Sequence, residues 1–321
     1  MAVLVVGGGL VGSQIARVLL ERGKTPIIFD RIPQPQALGG IVDLSRITLL
    51  QGDVLRPWDL VSALRKGGIE GIIHTAAYPM LTAGAQLHPY DAIEVNIMGA
   101  ANILEAAVAF GVPRVVIASS SVLSSHVSGG EDAGNQAMEE AFPRPITFYA
   151  ATKQAVESLG DNYARWKGID VRMVRYAAVA GPWTGVGGGE PTNVFRAMVE
   201  GALKHGKADI PNVKIEWIYS RDAGLGTVLA LEAKIDRHRV FNLSMGAPTS
   251  PEDMAAAIQA AIPGIETRIG PKIGTATMGG ATFDEPLELG RAKSILGYQP
   301  AYPMTEAIRD YADWLKSLAK N

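Results

Sequence analysis

Val3-Leu4-Val5-Val6-Gly7-Gly8-Gly9-Leu10-Val11-Gly12, residues 3–12, decides how this chain folds. The apolar, mostly β-branched run 3–6 reads as a buried parallel strand. The glycines follow at once, in the spacing G-x-G-x-x-G. Val11, Ile15, Val18 and Leu19 then recur at helical spacing until Gly23 stops the helix. A second apolar run, 27–29, ends in Asp30. Strand, glycine turn, helix, strand and acid about 20 residues on form the dinucleotide-binding fingerprint. Gly7 allows the tight turn, Gly9 lets backbone N–H groups approach a pyrophosphate, and Gly12 lets helix and strand pack closely. Leu10 and Val11 open the helix, whose N-terminus offers free donors and partial positive charge to phosphates.

Asp30 can accept hydrogen bonds from an adenosine ribose and repels a 2′-phosphate, which selects NAD over NADP. Arg31 argues the other way, because a neighbouring guanidinium can pair with that phosphate. NAD is the expected cofactor.

Working outward, the chain repeats the strand–helix alternation. Strands are expected at 47–50, 71–77, 114–118 and 169–176. Helices are expected from Leu60 to Leu64, over Pro89–Phe110 and from about 147 to 166, with an irregular polar stretch at 129–145. Successive βα units of this kind make a doubly wound parallel sheet of the Rossmann type. Past Tyr176 the pattern changes to a glycine- and proline-rich loop (180–193), then helices near 193–205, 222–234 and 251–262. Short strands are read at 215–219 and 240–243, and the end, 289–318, is mostly helical. The expected organisation is an NAD-binding domain of residues 1–176 plus about 215–243. A smaller, mostly helical C-terminal substrate lobe takes 177–214 and 244–321.

The 321 residues suffice for such a domain and lobe. Their 47% hydrophobic and 19% charged composition fits a globular enzyme. Net charge is −2, with no basic run, so nucleic acid is not an expected partner. The chain has no cysteine, which excludes disulfides, thiolate metal sites and a cysteine nucleophile. The five histidines show no metal-ligand spacing, so no metal is expected. No apolar run reads as a membrane span or signal peptide, and a cytoplasmic location is the expectation.

Tyr149 and Lys153 lie one helical turn apart on a shared face. An ammonium beside a phenol stabilises the phenolate and draws its pKa down from about 10, making Tyr149 a general acid/base for a hydroxyl proton. Lys153 can also hydrogen-bond a nicotinamide ribose. A surface helix pair is the alternative reading. Position favours chemistry: the pair follows the fifth strand, which ends in Ser119-Ser120-Ser121. Asp53, at the end of the third strand, either offers a carboxylate to the adenine amino group or caps the helix ahead of Pro57. Thr75, Ala76 and Ala77 leave room at the carboxyl edge of the sheet, where α/β folds bind ligands. Tyr78, Met80, Trp183 and Trp217 either wall an apolar substrate pocket or belong to the core.

The sequence resembles the extended short-chain dehydrogenase/reductase family, the NAD-dependent epimerase/dehydratase group, over nearly its whole length. The likeness runs through the glycine loop, Asp30, Gly52-Asp53-Val54 and His74-Thr75-Ala76-Ala77. It continues in Asn96…Gly99…Asn102, Gly111-Val112-Pro113-Arg114 with its serines, and Tyr149-x-x-x-Lys153. It ends in Arg175-Tyr176…Gly181-Pro182, Asp222, Asn242 and Leu296-Gly297-Tyr298-Gln299-Pro300. The resemblance implies a Ser–Tyr–Lys triad of Ser120, Tyr149 and Lys153, with Ser121 next in line. It implies tightly held NAD, a cleft between the lobes, and a homodimer made by Pro89–Phe110 and 147–166. The cofactor-binding set expected on this basis adds Val54, Asn96, Ala118, Tyr176, Ala178 and Val179 to the glycine loop, Asp30, Arg31, Asp53, Thr75, Ala76, Ala77 and the Tyr–Lys pair. The substrate-binding set is Tyr78, Met80, Ser120, Ser121, Ala178 and Asn193.

Departures from the family pattern concern mainly the substrate. Val5 and Val6 replace a usual threonine and glycine. Ala178-Val179-Ala180 stands where the family has Asn-Val-Tyr/Phe before Gly-Pro. The arginine expected a few residues before Asp222 is Ile215 or a near neighbour, and Gly279-Gly280-Ala281-Thr282 replaces an Arg-x-Gly-Asp stretch. Those residues anchor a nucleotide-sugar diphosphate, which needs charge-assisted donors. The expected activity is therefore NAD-dependent oxidation of a secondary alcohol other than a nucleotide sugar. A sugar 4-epimerase that retains its NAD is the second reading, and a non-catalytic NAD-binding sensor the third. Ser121-Val122, in place of Asp-Glu, argues against dehydration.

Overall fold

A computed structural model describes residues 2–65, 67–125, 145–235, 237–272 and 286–318. Most of the stretch read as irregular at 129–145, together with His126 and 279–282, lies outside the described residues. The elements in chain order are β1 (Ala2–Val6), α1 (Leu10–Glu21), β2 (Thr25–Asp30), α2 (Pro35–Gly39), β3 (Thr48–Gln51), α3 (Pro57–Leu64) and β4 (Ile69–His74). Then come α4 (Leu81–Leu87), α5 (Pro89–Ile93), α6 (Gly99–Phe110), β5 (Arg114–Ser120), α7 (Val122–Ser125), α8 (Phe148–Lys167), β6 (Asp170–Tyr176) and β7 (Ala178–Ala180). The rest are α9 (Glu190–His205), β8 (Lys207–Asn212), β9 (Ile215–Tyr219), α10 (Ser220–Glu232), β10 (Val240–Leu243), β11 (Pro248–Thr249), α11 (Pro251–Ala261), β12 (Glu266–Lys272), α12 (Gly290–Leu296) and α13 (Met304–Leu318).

The main sheet has seven strands in the order β3-β2-β1-β4-β5-β6-β10. Its pairings are all parallel. Strand order reverses at β1, the switch point where doubly wound sheets open a crevice for ligands. Val3, Leu4, Val5 and Val6 are fully buried because helices cover both faces of the sheet. Val3 and Val5 face the cluster with α1 and α10, while Leu4 and Val6 face the cluster with α3 and α6. Each such side chain contributes about 1.5–3 kcal/mol by leaving water. Glycines in the left-handed conformation close α6 (Gly111, φ 64°) and α8 (Gly168, φ 72°), turning the chain into the next strand.

Several sequence readings need adjustment. The fourth strand stops at His74 rather than Ala77, and the fifth runs on to Ser120. The helix read over Pro89–Phe110 is interrupted by a π-turn at Glu94–Met98. By length and composition that helix is long and apolar enough to cross a membrane, contrary to the sequence reading. In this fold, however, it lies on the domain with Ala92, Ala100, Ile103, Leu104 and Ala107 buried.

β9, grouped by the sequence with the NAD-binding domain, joins no strand of the main sheet. It pairs with β7 and β11 in a three-stranded sheet. Its Ile218 faces the main core, but Ile215, Trp217 and Tyr219 build the lobe core with Phe195, Met254, Ile308 and Tyr311. The lobe therefore holds sheet as well as helix, including a parallel pair of β8 and β12.

Candidate active site

The glycine loop is shaped by contacts too close for side chains. Gly7 sits at φ +101°, and a Cβ there would come within 2.6 Å of Ala76 N. A Cβ on Gly12 would fall 1.8 Å from Gly7 O. Beside Gly9 a Cβ would meet nothing within 4 Å, leaving the loop open to a ligand at that point. α1 begins at Leu10 with no side-chain cap, so its first-turn N–H groups are available to an anion. Asp30 turns its carboxylate onto this loop: Gly8 N donates to Oδ2 at 2.7 Å and Ile32 N to Oδ1 at 2.9 Å. Thr75 braces the same loop from just past the end of β4, its hydroxyl donating to Gly7 O at 3.0 Å. A cradle emptied of side chains, uncapped donors and an acid beside them fit a dinucleotide.

Other candidates for the cofactor set have local duties. Asp53 Oδ1 accepts from Leu55 N at 2.9 Å in a turn ahead of α3, whose N-cap is Arg56 without a side-chain cap, so Asp53 does not cap that helix. Val54 is buried in the core and its carbonyl accepts from Asn102. Asn96 is buried and committed on both sides: Oδ1 accepts from Tyr78 N at 2.8 Å and Nδ2 donates to Thr152 Oγ1 at 3.0 Å. It fastens the segment after β4 to α8. Tyr176 also turns inward, its hydroxyl sharing a hydrogen bond with Thr227 in the core. Arg31 is exposed and uses its carbonyl to accept from Gln51.

At the carboxyl edge of β5 the proposed triad comes together. Tyr149 is buried beside Ser120, whose Oγ accepts from Val122 N at 3.3 Å. Lys153 Nζ donates to Ala118 O at 2.7 Å and stands 5.6 Å from the Tyr149 ring centroid. The expected depression of the Tyr149 pKa by Lys153 is not what this structure gives. Burial pushes the phenol up to about 12, and the opposing pull comes from the Ser120 hydrogen bond. Burial lowers Lys153 to about 8, against the upward pull of Glu157. His74, at the end of β4, is buried with no partner for Nδ1; burial first, then Lys153, lowers its pKa to about 3. The neutral imidazole is the stable form there.

On the substrate side, Tyr78 rests against the Tyr149 cluster and Met80 is exposed. Met80 and Leu81, at φ 60° and 46°, are the non-glycine residues at positive φ among the described residues. Ser121 is buried and tied through its backbone N to Tyr176 O. Ala178 and Val179 lie on β7, where Val179 O accepts from Thr192; Asn193 is exposed on the first turn of α9. Trp183 and Trp217 belong to the core. Trp183 is buried with Leu10, Ile28 and Leu38, and Trp217 lies in the lobe core 5.8 Å from Phe195.

Sequence reasoning missed Glu157, buried behind the triad, where Ser119 and Arg175 converge on it. The signal was legible as Tyr149-x-x-x-Lys153-x-x-x-Glu157, successive turns of one helix face. It also missed the clasp in which Gln34 and Val186 exchange two hydrogen bonds (Nε2 to O at 3.1 Å and N to Oε1 at 2.6 Å).

The fold and this edge define an NAD-binding protein of the extended short-chain dehydrogenase/reductase type. Residues 3–244 match the NAD dependent epimerase/dehydratase family, and the chain belongs to that family. It is 30% identical to the UDP-glucose 4-epimerase of Corynebacterium glutamicum, over 77% of this chain and 76% of that protein. It is 32% identical to the 3-beta-hydroxysteroid dehydrogenase of Mycolicibacterium neoaurum, over 72% of this chain and 60% of that protein. The crystal structure of the Thermus thermophilus UDP-glucose 4-epimerase in complex with NAD superposes with a TM-score of 0.81 at 25% identity, covering 98% of this chain and 99% of that one.

Proposed function

We propose that this chain withdraws a hydride from a secondary alcohol carbon and returns it to the other face of the resulting carbonyl, the closed cycle of a sugar 4-epimerase. The observation that carries the reading is the meeting of Ser120, Tyr149 and Lys153 at the sheet edge beside the glycine loop. The similarity to UDP-sugar 4-epimerases supports the epimerase outcome over net dehydrogenation. NAD, when bound, supplies the hydride acceptor. Tyr149 Oη takes the substrate hydroxyl proton as the carbonyl forms and gives it back on return. Ser120 Oγ orients the substrate oxygen. Lys153, whose Nζ stands 5.6 Å from the Tyr149 ring centroid, would hydrogen-bond a ribose hydroxyl of NAD when it is bound, and its charge would then support the phenolate as the proton moves. The helices that the resemblance assigns to a homodimer carry exposed Tyr90, Met98 and Trp166, which supports that assembly.

A second reading, a net NAD-dependent dehydrogenase of a less charged alcohol, is favoured by Ile215. This residue is buried in the lobe where the family pattern leads one to expect a diphosphate-binding arginine. Ala178 and Val179 likewise bring no charged donor. One experiment separates the readings. UDP-sugars, free sugars, sugar acids and neutral secondary alcohols are incubated with the protein, following NADH absorbance and product stereochemistry by NMR. Inverted product without NADH supports the epimerase; accumulating NADH supports the dehydrogenase. Tyr149→Phe should lower turnover by about 10²–10⁴-fold, and near-normal turnover in that variant refutes both.

A further inference from the structure

Behind the triad lies a second, deeper cluster. Glu157 is one turn beyond Lys153 on α8 and is buried. Arg175 on β6 grips its carboxylate with both arms, Nε to Oε1 at 2.8 Å and Nη2 to Oε2 at 2.7 Å. Ser119 donates to the same Oε1 at 2.5 Å. Ser119 lies between Ala118, whose carbonyl receives Lys153 Nζ, and Ser120, which meets Tyr149. One carboxylate thus joins α8, β5 and β6 at the point where all three triad residues are presented. A buried ion pair is a poor device for stability alone, because desolvation offsets much of its attraction.

We propose that Glu157 is a positioning residue for the Tyr149–Lys153 pair: clamped by Arg175 and Ser119, its carboxylate supports the Lys153 ammonium and fixes the β5 edge that presents Ser120. The pairing with Tyr149 rests on the reaction proposed above; the electrostatic coupling to Lys153 does not.

The charged and titratable groups around Lys153 leave this role to Glu157. From β4 comes His74, whose protonation burial and the Lys153 charge disfavour, so that it brings no charge of its own. From β6 come Arg175, already held by Glu157, and Tyr176, whose phenol burial keeps protonated. The α5–α6 stretch brings Asp91, Glu94 and Glu105, of which Asp91 accepts from Tyr78 and Glu105 from Tyr163. β5 carries Arg114 at its far start, paired with Asp170. α8 itself adds Tyr149 and, further along, Asp161 and Arg165; α4 brings no titratable side chain. Among the causes that set the Lys153 pKa, Glu157 is the upward one.

The test titrates Lys153 directly in the full chain labelled with ¹³Cε-lysine, the resonance assigned by its loss in Lys153→Arg. In the native protein the midpoint is expected near 8. Glu157→Gln keeps the shape but removes the charge, and should lower the midpoint by about one pH unit, so that the protonated fraction at pH 8 falls from about a half to about a tenth. Glu157→Asp keeps the charge and should fall between. If Glu157→Gln does not fold, the Glu157→Asp midpoint decides, with a drop of a few tenths expected. An unmoved midpoint in the folded variants, with only melting temperature reduced, overturns the proposal and leaves Glu157 a structural residue. Because the titration needs no substrate, its failure is distinct from that of the proposed reaction, which Tyr149→Phe turnover tests.

Discussion

At Gly7 and Gly12 the absent side chain has a steric reason, backbone approaching backbone, and beside Gly9 the loop stands open. At Ile215, Trp217 and Tyr219 the reverse holds, and each inward position is filled by a large side chain of the lobe core. The first region is organised around something that the chain itself does not supply. The second is organised around its own core, with the Phe195 ring 5.8 Å from Trp217 and 5.5 Å from Tyr311. Binding a dinucleotide through backbone donors imposes the same demands wherever it occurs. A substrate lobe answers only to its particular substrate, so its inward positions are free to fill with its own packing.

The two regions should fail in different ways when perturbed. The largest effect is expected from Trp217→Ala, which empties a fully buried site and should cost about 3–5 kcal/mol of unfolding free energy by denaturant titration. NAD affinity of the remaining folded protein should be unchanged; a parallel loss of NAD binding would show that the regions are not independent. Gly12→Ala should act oppositely, because its methyl group collides with the Gly7 carbonyl. Calorimetry should show NAD affinity weakened by about 100-fold, roughly 2.7 kcal/mol, at a smaller cost in stability. Asp30→Ala should have the smallest effect. Loss of one charged acceptor should shift the NAD-over-NADP preference by about tenfold. An unchanged preference would detach Asp30 from the ribose and leave it as a brace for Gly8.

The site was legible to the extent that it consists of local patterns. The glycine spacing, the acid after β2 and the Tyr–Lys helix turn are contained within short segments, and the fold brings them to one edge. Asn96, Tyr176, Trp183 and Trp217 were harder to assign because an asparagine or aromatic residue near a site in sequence can point toward it or away. Asn96 turned out to be a fastener between Tyr78 and Thr152, and Tyr176 a core residue bonded to Thr227. The acidity of Tyr149 was misjudged for a related reason. A neighbouring ammonium can be read from spacing, but the burial that outweighs it arises from packing by residues distant in the chain.

By itself the sequence determined the parallel sheet, the dinucleotide cradle and the residue types for moving a hydroxyl proton. It did so because strand runs, glycine turns and helix faces depend on neighbours a few residues away. Only the tertiary structure decided that β9 leaves the main sheet and that Ile215 is buried in the lobe. It alone joined Ser119, Glu157 and Arg175 into one cluster behind Lys153. Those outcomes depend on which distant surfaces exclude water together and on which buried charges find partners, and neither is a property of any single stretch of chain.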